Sequence, residues 1–468
     1  MKAKIGLEIH AELKTNSKMF CSCDNNADES EPNSLICPIC LGYPGILPVI
    51  NKQAVEWTIK TGLALNCKIN KQTHFDRKHY FYPDLPKNFQ ISQYKNPICN
   101  DGYIEIGGRK IGIRRVHLEE DTAKLIHPVD KTEWQVDFNR VGTPLMEIVT
   151  EPDIQTAQEA REYSQKIRQI LRYLGISDAD MEKGHMRCEA NISVSNSDQD
   201  GVKVEVKNLN SFRSVEKAID YEIKRQIKLL KSGSKIIQET RGWNDSKKST
   251  FSQRVKETAP DYRYFPEPDL PPLKISDKLV KQITAILPEL PDQKIKRFIK
   301  TYKIGEKEAE ILTSNIKLAN YYEEILIYKA NPRRAAFWII TEILAVLKKE
   351  GKSISDNIVK SKDLADLIIS IDTGKISGKI GKVVFRIMID SGRSPKEIIQ
   401  ESKFGIMSDE AELEKIIQKI IRNNQKVIED YKKGKKEALQ FIVGQIMKKT
   451  KGRANPQTII NILKRRLG

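Results

Sequence analysis

Acidic side chains and one histidine recur at alternate positions of four short segments whose other positions are mostly apolar. The segments read "GLEIH", "VHLEED", "RCEANISV" and "VKVEVK". Alternation with a period of two is typical of a β-strand with one buried face and one polar face. The polar positions carry Glu8, His10, Glu119, Glu189 and Glu205. Should the four faces converge, their carboxylates and imidazole would form an oxygen-rich site suited to magnesium.

Two cations share these polar positions, Arg187 and Lys207, and they would meet the phosphate oxygens of a nucleotide bound beside the acids. The chain has no phosphate-binding G-x-x-x-x-G-K-[ST] loop, no kinase-like glycine-rich loop and no G-x-S-x-G nucleophile motif. A nucleotide site would therefore lie on the sheet rather than in a loop. The alternative is that charge on one side of each strand is only the solvated face of a sheet.

Four of the seven cysteines lie within twenty residues, in the pattern C-x-C, thirteen residues, C-P-x-C. Two close pairs can surround one tetrahedral ion, and zinc accepts thiolates without a redox partner. An iron–sulfur cluster or a redox pair is the alternative, and structural disulfides are rare in a reducing compartment. Four protein ligands leave zinc no open position, so the pattern predicts a structural site. The four are Cys21, Cys23, Cys37 and Cys40, whereas Cys67, Cys99 and Cys188 are expected to be buried apolar fillers.

Two further segments interleave aromatic and cationic residues, "DRKHYFYPDLPKNFQISQY" and "DYRYFPEPDLPPL". Such interleaving suits the stacked bases and the phosphates of a nucleic acid. The alternative is a rigid loop whose aromatic rings pack on the sheet.

The elements that must position these residues divide the chain into an α+β part and an all-α remainder. Period-two runs, turns and two helical segments fill the first part, and "TAQEAREYSQKIRQILRYLGI" predicts a helix that ends at Gly175. We therefore expect an antiparallel sheet with helices. A proline-rich stretch follows, after which the period is 3.6 almost throughout. The predicted domains are residues 1–292, with the zinc-binding insertion at about 20–45, then 293–405 and 406–468.

Charge points to an anionic partner, because the chain of 468 residues has a formal net charge of +18. From Lys432 to Gly468 there are eleven Lys and Arg against one acid, Glu437, which favours nucleic acid over a generally lysine-rich surface. No apolar run approaches the length of a membrane span. The beginning, "MKAKIGLEIHAELK", shows no secretory signal, so a cytoplasmic protein without membrane contact is expected.

Six long segments, in this order, resemble one family, the B subunit (GatB) of the tRNA-dependent aspartyl/glutamyl-tRNA amidotransferases. They are "GLEIHAEL", "DRKHYFYPDLPKNFQISQ", "VHLEEDTAKL", "DFNRVGTPLMEIVTEPD", "VEVKNLNSFR" and "DYRYFPEPDLPPL". The tail "FIVGQIMKKTKGRANP" is similar to the YqeY-like terminal domain of that family. The similarity covers nearly the whole chain. It implies a cradle domain with an antiparallel sheet, a helical domain and a helical tail that grips tRNA.

The resemblance also implies an activity. Family members convert misacylated Glu-tRNA(Gln) or Asp-tRNA(Asn) to the amide with ATP and ammonia. GatB phosphorylates the side-chain carboxylate, and ammonia then displaces the phosphate. The ammonia comes from glutamine hydrolysis in a separate amidase chain, GatA. A small third chain, GatC, tethers the two others in a heterotrimer.

Carried over to this sequence, the resemblance, together with the strand pattern, gives the residues five roles. Glu8, His10 and Glu119 would hold the magnesium of ATP, and Glu120 is the candidate proton acceptor during amidation. The ATP-binding residues would be Arg187, Glu189, Glu205 and Lys207. Glu189 stands where the family usually has Asp, which moves that charge by one methylene. The four clustered cysteines match the family's zinc set, and the tRNA backbone would be contacted by Lys448, Lys449, Lys451 and Arg453.

Two other functions compete with the enzyme. One is a basic, zinc-stapled protein that only presents tRNA to a partner enzyme. The other is an independent DNA-binding zinc protein, but no basic helix follows the cysteine segment. The set of acids on alternating strands favours the enzyme, because a pure adaptor has no need of it.

Overall fold

The structure is a computed structural model. It describes residues 1–126, 133–196, 201–255, 262–356, 358–402, 410–432, 435–450, 454 and 456–467. Contacts divide the chain into two compact units, Met1–Leu290 and Pro291–Gly468. The strands and the first four helices belong to the first unit, and the remaining helices to the second.

The first unit is built on strands, most of them antiparallel to their neighbours. The described strands are β1 (Lys2–Glu12), β2 (Lys68–Ile69), β3 (Gln72–Thr73), β4 (Asp76–His79), β5 (Phe89–Ser92), β6 (Cys99–Ile106), β7 (Arg109–Glu120), β8 (Lys124–Ile126), β9 (Gln135–Asp137), β10 (Pro144–Thr150), β11 (Met186–Ser195), β12 (Val204–Leu209), β13 (Glu239–Asn244), β14 (Ser249–Val255), β15 (Phe265–Pro266) and β16 (Leu273–Lys274).

Nine of these strands form one sheet in the order β14-β13-β12-β11-β1-β10-β7-β6-β2. The pair β12 and β13 is parallel, and the other described pairs in this sheet are antiparallel. Strand β1 lies at the centre, hydrogen-bonded to β10 on one side and to β11 on the other. The predicted polar face is therefore placed in the middle of the largest sheet.

Helices cover the apolar face of this sheet. They are α1 (Lys52–Ala64), α2 (Ala157–Leu174), α3 (Phe212–Lys231) and α4 (Asp277–Ala285). Leu7 and Ile9 of β1 are fully buried in the core that the helices share with the sheet. Helix α2 begins in a capping box at Thr156 and ends at Gly175, whose φ of 72° is the left-handed conformation that glycine favours. This packing leaves the opposite, polar face of β1 open.

A second, smaller sheet has the order β15-β4-β5. Phe265 pairs with Arg77, and Asp76 pairs with Ser92. Two aromatic-rich sequence segments, far apart in the chain, thereby meet in one sheet. The turn segments Ala27–Glu29 and Phe138–Arg140 are 3₁₀ helices.

The second unit is helical in its described residues. Its helices are α5 (Pro291–Arg297), α6 (Glu306–Thr313), α7 (Ile316–Ile327), α8 (Pro332–Trp338), α9 (Leu344–Glu350), α10 (Ser361–Asp372), α11 (Gly378–Ser391), α12 (Pro395–Glu401), α13 (Glu410–Asn423), α14 (Gln425–Lys432), α15 (Lys436–Lys449) and α16 (Pro456–Leu467). Phe298–Tyr302 and Ile339–Ile343 are π-helical, and Ile354–Asp356 is 3₁₀. The expected α+β class, with a sheet domain followed by helices, is confirmed; the domain boundaries near 292 and 405 stay predictions.

Candidate active site

Strand register brings the predicted acids together on one face of the large sheet. On β1, Glu8 lies opposite Glu189 of β11, and His10 lies between Arg187 of β11 and Glu147 of β10. Residues directly opposite on antiparallel strands share a face. One cavity of about 620 Å³ is lined by Glu8, His10, Glu119, Arg187, Glu189, Glu205 and Lys207. The structure thus brings together seven of the residues predicted from the sequence.

A group of possible metal ligands lies on the floor of this cavity. The ligand atoms of His10, Glu119 and Glu147 are all within 4.8 Å of one another. His10 Nε2 is 3.4 Å from Glu147 Oε2 and 3.7 Å from Glu119 Oε1. Magnesium is usually held by one or two carboxylates and keeps several waters, so this donor set, open to a cavity, fits it.

Sequence reasoning missed Glu147 and the part played by His117. Glu147 lies in "PLMEIVT", a run that is otherwise almost wholly apolar, and an acid in such a run was the available signal. His117 of β7 is directly opposite Glu147, and its Nε2 is 3.1 Å from Glu147 Oε2. Glu147 therefore links two imidazoles, and one of them belongs to the ligand group.

The charges in this group shift one another's pKa values. Burial disfavours an imidazolium, but Glu147 and Glu119 more than offset it and raise the pKa of His10 to about 9. Burial likewise disfavours a carboxylate at Glu147, yet the charges of His117 and His10 hold its pKa well below the ordinary range. The group is thus stabilised as a cation–anion set when no metal compensates the carboxylates.

Glu8 is the third acid close to this group. Its Oε1 accepts a hydrogen bond of 2.7 Å from Asn191 Nδ2. Burial, together with the charges of Glu147 and Glu189, raises the pKa of Glu8 above that of an ordinary glutamate. A cation in the cavity would relieve this crowding of negative charge.

The predicted basic residues are paired with acids along the edge of the cavity. Lys207 Nζ is 2.9 Å from Glu189 Oε2 and 3.2 Å from Glu205 Oε1. Arg187 Nη2 is 2.7 Å from Asp121 Oδ2, and the Arg187 side chain is about two-fifths exposed. Both cations face the cavity, where they can exchange part of this pairing for phosphate oxygens.

Glu120 does not join the other predicted residues. It follows Glu119 on β7, so its side chain leaves the strand on the opposite face. There its carboxylate accepts hydrogen bonds of 2.6 Å from Lys87 Nζ and 2.9 Å from the Ile91 backbone N–H. It lines a different cavity, next to the cysteine segment.

The four clustered cysteines converge as a second group of metal ligands. The Sγ atoms of Cys21, Cys23, Cys37 and Cys40 lie within 4.8 Å of one another. Four thiolates at about 2.3 Å from a zinc ion would have such spacing, so the set fits a tetrahedral structural site. The other three cysteines are buried, as expected.

A buried lysine stands beside these thiols. Lys18 is 1% exposed, and its Nζ donates a 2.7 Å hydrogen bond to the Leu35 carbonyl. A hydrogen bond from the Cys21 thiol and the charge of Lys18 both lower the pKa of Cys40, to about 5, against the effect of burial. The protein thereby favours a thiolate, the form that binds metal, at Cys40 rather than at Cys21, because the same hydrogen bond raises the pKa of Cys21.

The predicted tRNA-binding residues of the tail are only partly described. Lys448 and Lys449 occupy the last turn of α15. Lys451 and Arg453 lie outside the described residues. None of the described helices combines the length and apolarity that crossing a membrane requires.

Comparison with known proteins identifies the class first. Residues 3–281 match the GatB/GatE catalytic domain, and residues 320–467 match the GatB domain. The sheet unit with its acidic cavity therefore matches the catalytic domain of this family, and most of the helical unit matches the family's second domain.

Individual relatives are similar to this chain over nearly its full length. The chain is 49% identical over 475 residues to the B subunit of the aspartyl/glutamyl-tRNA(Asn/Gln) amidotransferase of Carboxydothermus hydrogenoformans, covering 100% of this chain and 98% of the relative. Proteins of that name from Thermodesulfovibrio yellowstonii and Persephonella marina are 49% and 48% identical, covering 99% and 98% of this chain and 98% of each relative. The chain belongs to the GatB family of amidotransferase B subunits.

Proposed function

We propose that this chain is the catalytic B subunit of a tRNA-dependent amidotransferase. It would use ATP to phosphorylate the side-chain carboxylate of Glu-tRNA(Gln), Asp-tRNA(Asn) or both, and ammonia would then convert the product to the amide. The observation that carries the proposal is that three strands place ligand atoms of His10, Glu119 and Glu147 within 4.8 Å of one another in a cavity that Arg187 and Lys207 also line. The names of the relatives support the choice of reaction.

In the first step a carboxylate oxygen of the substrate attacks the terminal phosphorus of ATP, and the bond to the ADP oxygen breaks. No base is needed, because the attacking carboxylate is already ionised. His10, Glu119 and Glu147, with Glu8 beside them, would hold the magnesium of ATP, which supplies charge neutralisation for the phosphates. Arg187 and Lys207 would bind and orient the phosphate oxygens from the edge of the cavity.

In the second step ammonia attacks the carbonyl carbon of the acyl phosphate, phosphate leaves, and the nitrogen gives up a proton. Glu120 was predicted to accept that proton. Its carboxylate leaves β7 on the face opposite Glu119 and accepts a hydrogen bond from Lys87 Nζ. It would therefore have to accept the proton on the face of the sheet that lies away from the acid group. Its role stays a prediction.

The remaining parts of the chain would support this chemistry. Zinc bound by the cysteine group would cross-link and stabilise the segment around residues 20–45. Lys448, Lys449, Lys451 and Arg453 would contact the tRNA backbone, where each phosphate contact adds salt-dependent affinity. In the heterotrimer the amidase GatA would supply ammonia, and the small protein GatC would tether the assembly. We expect the complex to work in the cytoplasm.

The test is ATP hydrolysis by the heterotrimer reconstituted from this chain, GatA and GatC, with misacylated Glu-tRNA(Gln) and Asp-tRNA(Asn) added in separate runs. Glu8→Ala should lower the substrate-stimulated rate by roughly 100-fold, as expected when a group beside a metal site is removed. Glu105→Ala, on an exposed position of β6, is the matched control and should leave the rate unchanged.

The two outcomes separate the enzyme from a protein that only presents tRNA. If the folded Glu8→Ala variant hydrolyses ATP as fast as wild type, the acidic face is not the phosphorylation site. If no added tRNA stimulates hydrolysis in the wild-type complex, the chain only binds tRNA. The misacylated tRNA that stimulates ATP hydrolysis more strongly is identified as the preferred substrate.

A further inference from the structure

Strand β4 of the small sheet and the residues that follow β4 and precede β15 contribute to the cavity of the candidate active site. Lys78, Tyr80, Tyr262 and Tyr264 line that cavity. Nearby residues that do not line this cavity contact one another. His79 stacks on Phe265 at 5.0 Å between ring centroids, and the Arg77 guanidinium is 4.3 Å from the Phe89 ring centroid. The cavity lining therefore combines acids of the large sheet with aromatic rings that flank the small one.

Two of the rings on this side are stacked face to face. The centroids of Tyr94 and Tyr264 are 4.2 Å apart, and their planes differ by 6°. Both line the cavity, yet Tyr94 is 48% exposed. A parallel pair of this kind inside a core would be covered on both sides, whereas about half of the Tyr94 residue remains accessible here.

The backbone holds Tyr94 firmly in place. Its N–H donates a 2.8 Å hydrogen bond to Oδ2 of Asp76, which is 1% exposed, and its carbonyl accepts a 2.9 Å bond from Arg115 Nη1. The Arg115 guanidinium also lies 5.8 Å from the Tyr94 ring centroid. An exposed aromatic ring flanked by a guanidinium is the arrangement on which a base stacks in nucleic-acid-binding proteins.

The stacked pair lies close to the acid group. The two rings line the same cavity as Glu119 and Glu147, and Ser92, two residues before Tyr94, donates a 3.0 Å hydrogen bond from its Oγ to Glu119 Oε2. A base held by these rings would thus have its phosphates or its ester-linked amino acid within the same cavity as the acids.

We propose that Tyr94 and Tyr264 form the platform on which an adenine ring stacks in this cavity. This inference rests on the proposed function and extends it, because that reaction has two sources of adenine. One is ATP, and the other is the terminal adenosine of the tRNA that carries the amino acid. The platform recognises the flat ring that both share.

Direct binding to the full-length chain, assembled with its partner proteins, tests the platform. The variants are Tyr94→Leu and Tyr264→Leu, with Tyr94→Phe to keep the ring. Tyr103→Leu is the matched control, because that ring lies on β6 against Lys110 and does not line the cavity. The probes are Mg·ATP, magnesium tripolyphosphate, uncharged tRNA and the same tRNA lacking its terminal adenosine.

We expect each leucine variant to weaken the dissociation constant of Mg·ATP or of intact tRNA by roughly 5- to 150-fold, the effect of losing one stacked base. Tyr94→Phe and Tyr103→Leu should bind as wild type does. Loss for Mg·ATP but not for tripolyphosphate identifies the adenine of ATP. Loss for intact tRNA but not for the shortened tRNA identifies the terminal adenosine.

The proposal is wrong if neither ligand is weakened, or if tripolyphosphate and the shortened tRNA are weakened as much as the adenine-containing ligands. The latter result would mean general damage to the cavity. Failure of the proposed function would give a different result. The wild-type complex would show no tRNA-stimulated ATP cleavage, while the leucine variants could still bind adenine-containing ligands more weakly than wild type and Tyr94→Phe do.

Discussion

The molecule contains two groups of possible metal ligands, and they are built in opposite ways. All four cysteines come from one short segment, residues 21–40, and they can surround an ion completely. His10, Glu119 and Glu147 come from three strands, β1, β7 and β10, and supply only three ligands at the floor of a cavity. A closed set suits a structural ion, and an open set leaves positions for a substrate. The difference is the reason why we propose a structural role for the cysteine group and a chemical role for the other.

Replacing Glu147 tests the chemical half of this comparison most severely. Glu147→Gln keeps the shape but removes the charge shared by two imidazoles, so tRNA-stimulated ATP hydrolysis should fall about 100-fold or more, in the order-of-magnitude range for lost electrostatic stabilisation. Because Glu147 is buried and paired with His10 and His117, the melting temperature should fall as well, so hydrolysis is compared per folded molecule. Glu105→Gln is the control for a charge lost elsewhere on the sheet. A Glu147→Gln complex with more than half of wild-type activity would break the comparison.

Removing the cysteine group should have the reverse pattern. The double variant Cys37→Ser, Cys40→Ser should retain no zinc by elemental analysis. It should lower the free energy of unfolding by several kcal/mol, since a structural metal contributes directly to folding. ATP hydrolysis per folded molecule should fall less than tenfold. Chelation of wild type, reversed by added zinc, is the control. A larger loss of hydrolysis than Glu147→Gln causes would give this group a chemical role.

The Lys18→Met variant tests whether the cysteine group needs a nearby cation to offset the negative charge of its thiolates. Lys18→Met keeps the approximate volume but removes a buried cation beside the thiolates. Zinc affinity, measured by competition with a chelator, should weaken about 10- to 100-fold, as for other groups that support metal ligands. Lys14→Met removes an exposed lysine paired with Asp178 and should leave the affinity unchanged. Equal affinity in both variants would show that the thiolates need no cation from the protein.

Thiol reactivity should separate the four cysteines from the rest. After chelation at pH 8, Cys40 should be the first clustered thiol to react with a disulfide reagent, because its pKa is lowered to about 5, while Cys67, Cys99 and Cys188 react only after unfolding. Burial raises the pKa of Cys67 and Cys188 to about 12, from about 9 in an unfolded chain. Their contribution to stability is therefore complete below pH 9 and is lost as pH rises towards 12. Rapid reaction of all seven thiols in the folded protein would contradict this.

The smallest expected effect concerns neither group. Lys449→Ala should weaken tRNA binding severalfold at most and reduce the slope of log affinity against log salt by about 1, because one phosphate contact is lost. ATP hydrolysis at saturating tRNA should stay unchanged. Lys281→Ala, on α4 of the sheet unit, is the control. An unchanged salt slope in Lys449→Ala would remove this residue from the tRNA-binding surface.

The two groups also differ in how much of them the sequence reveals. The cysteine spacing alone predicts a metal site, because both ligand pairs belong to tight local turns. Alternation on β1 likewise predicts that Glu8 and His10 leave the face opposite Leu7 and Ile9, and the structure confirms this.

Glu147 could not be placed in the same way. Which strand lies beside β1 depends on pairing between residues more than one hundred positions apart, and no local pattern specifies it. Strand β10 is almost wholly buried, so its apolar residues hide the alternation that marks the other strands. Lys18 is similar: a lysine that is 1% exposed has no sequence signal that separates it from a surface lysine.

Because β1 is the central strand of the large sheet, its backbone amides should exchange slowly with deuterium. Its amides are held by ladders on both sides, so deuterium should enter them only when the whole domain opens. The small sheet depends on the two-residue strand Phe265–Pro266, and its amides should exchange through local opening long before that. The strand that carries Glu8 and His10 should therefore stay closed until the domain unfolds, whereas the strand that follows Tyr264 should open locally many times before that.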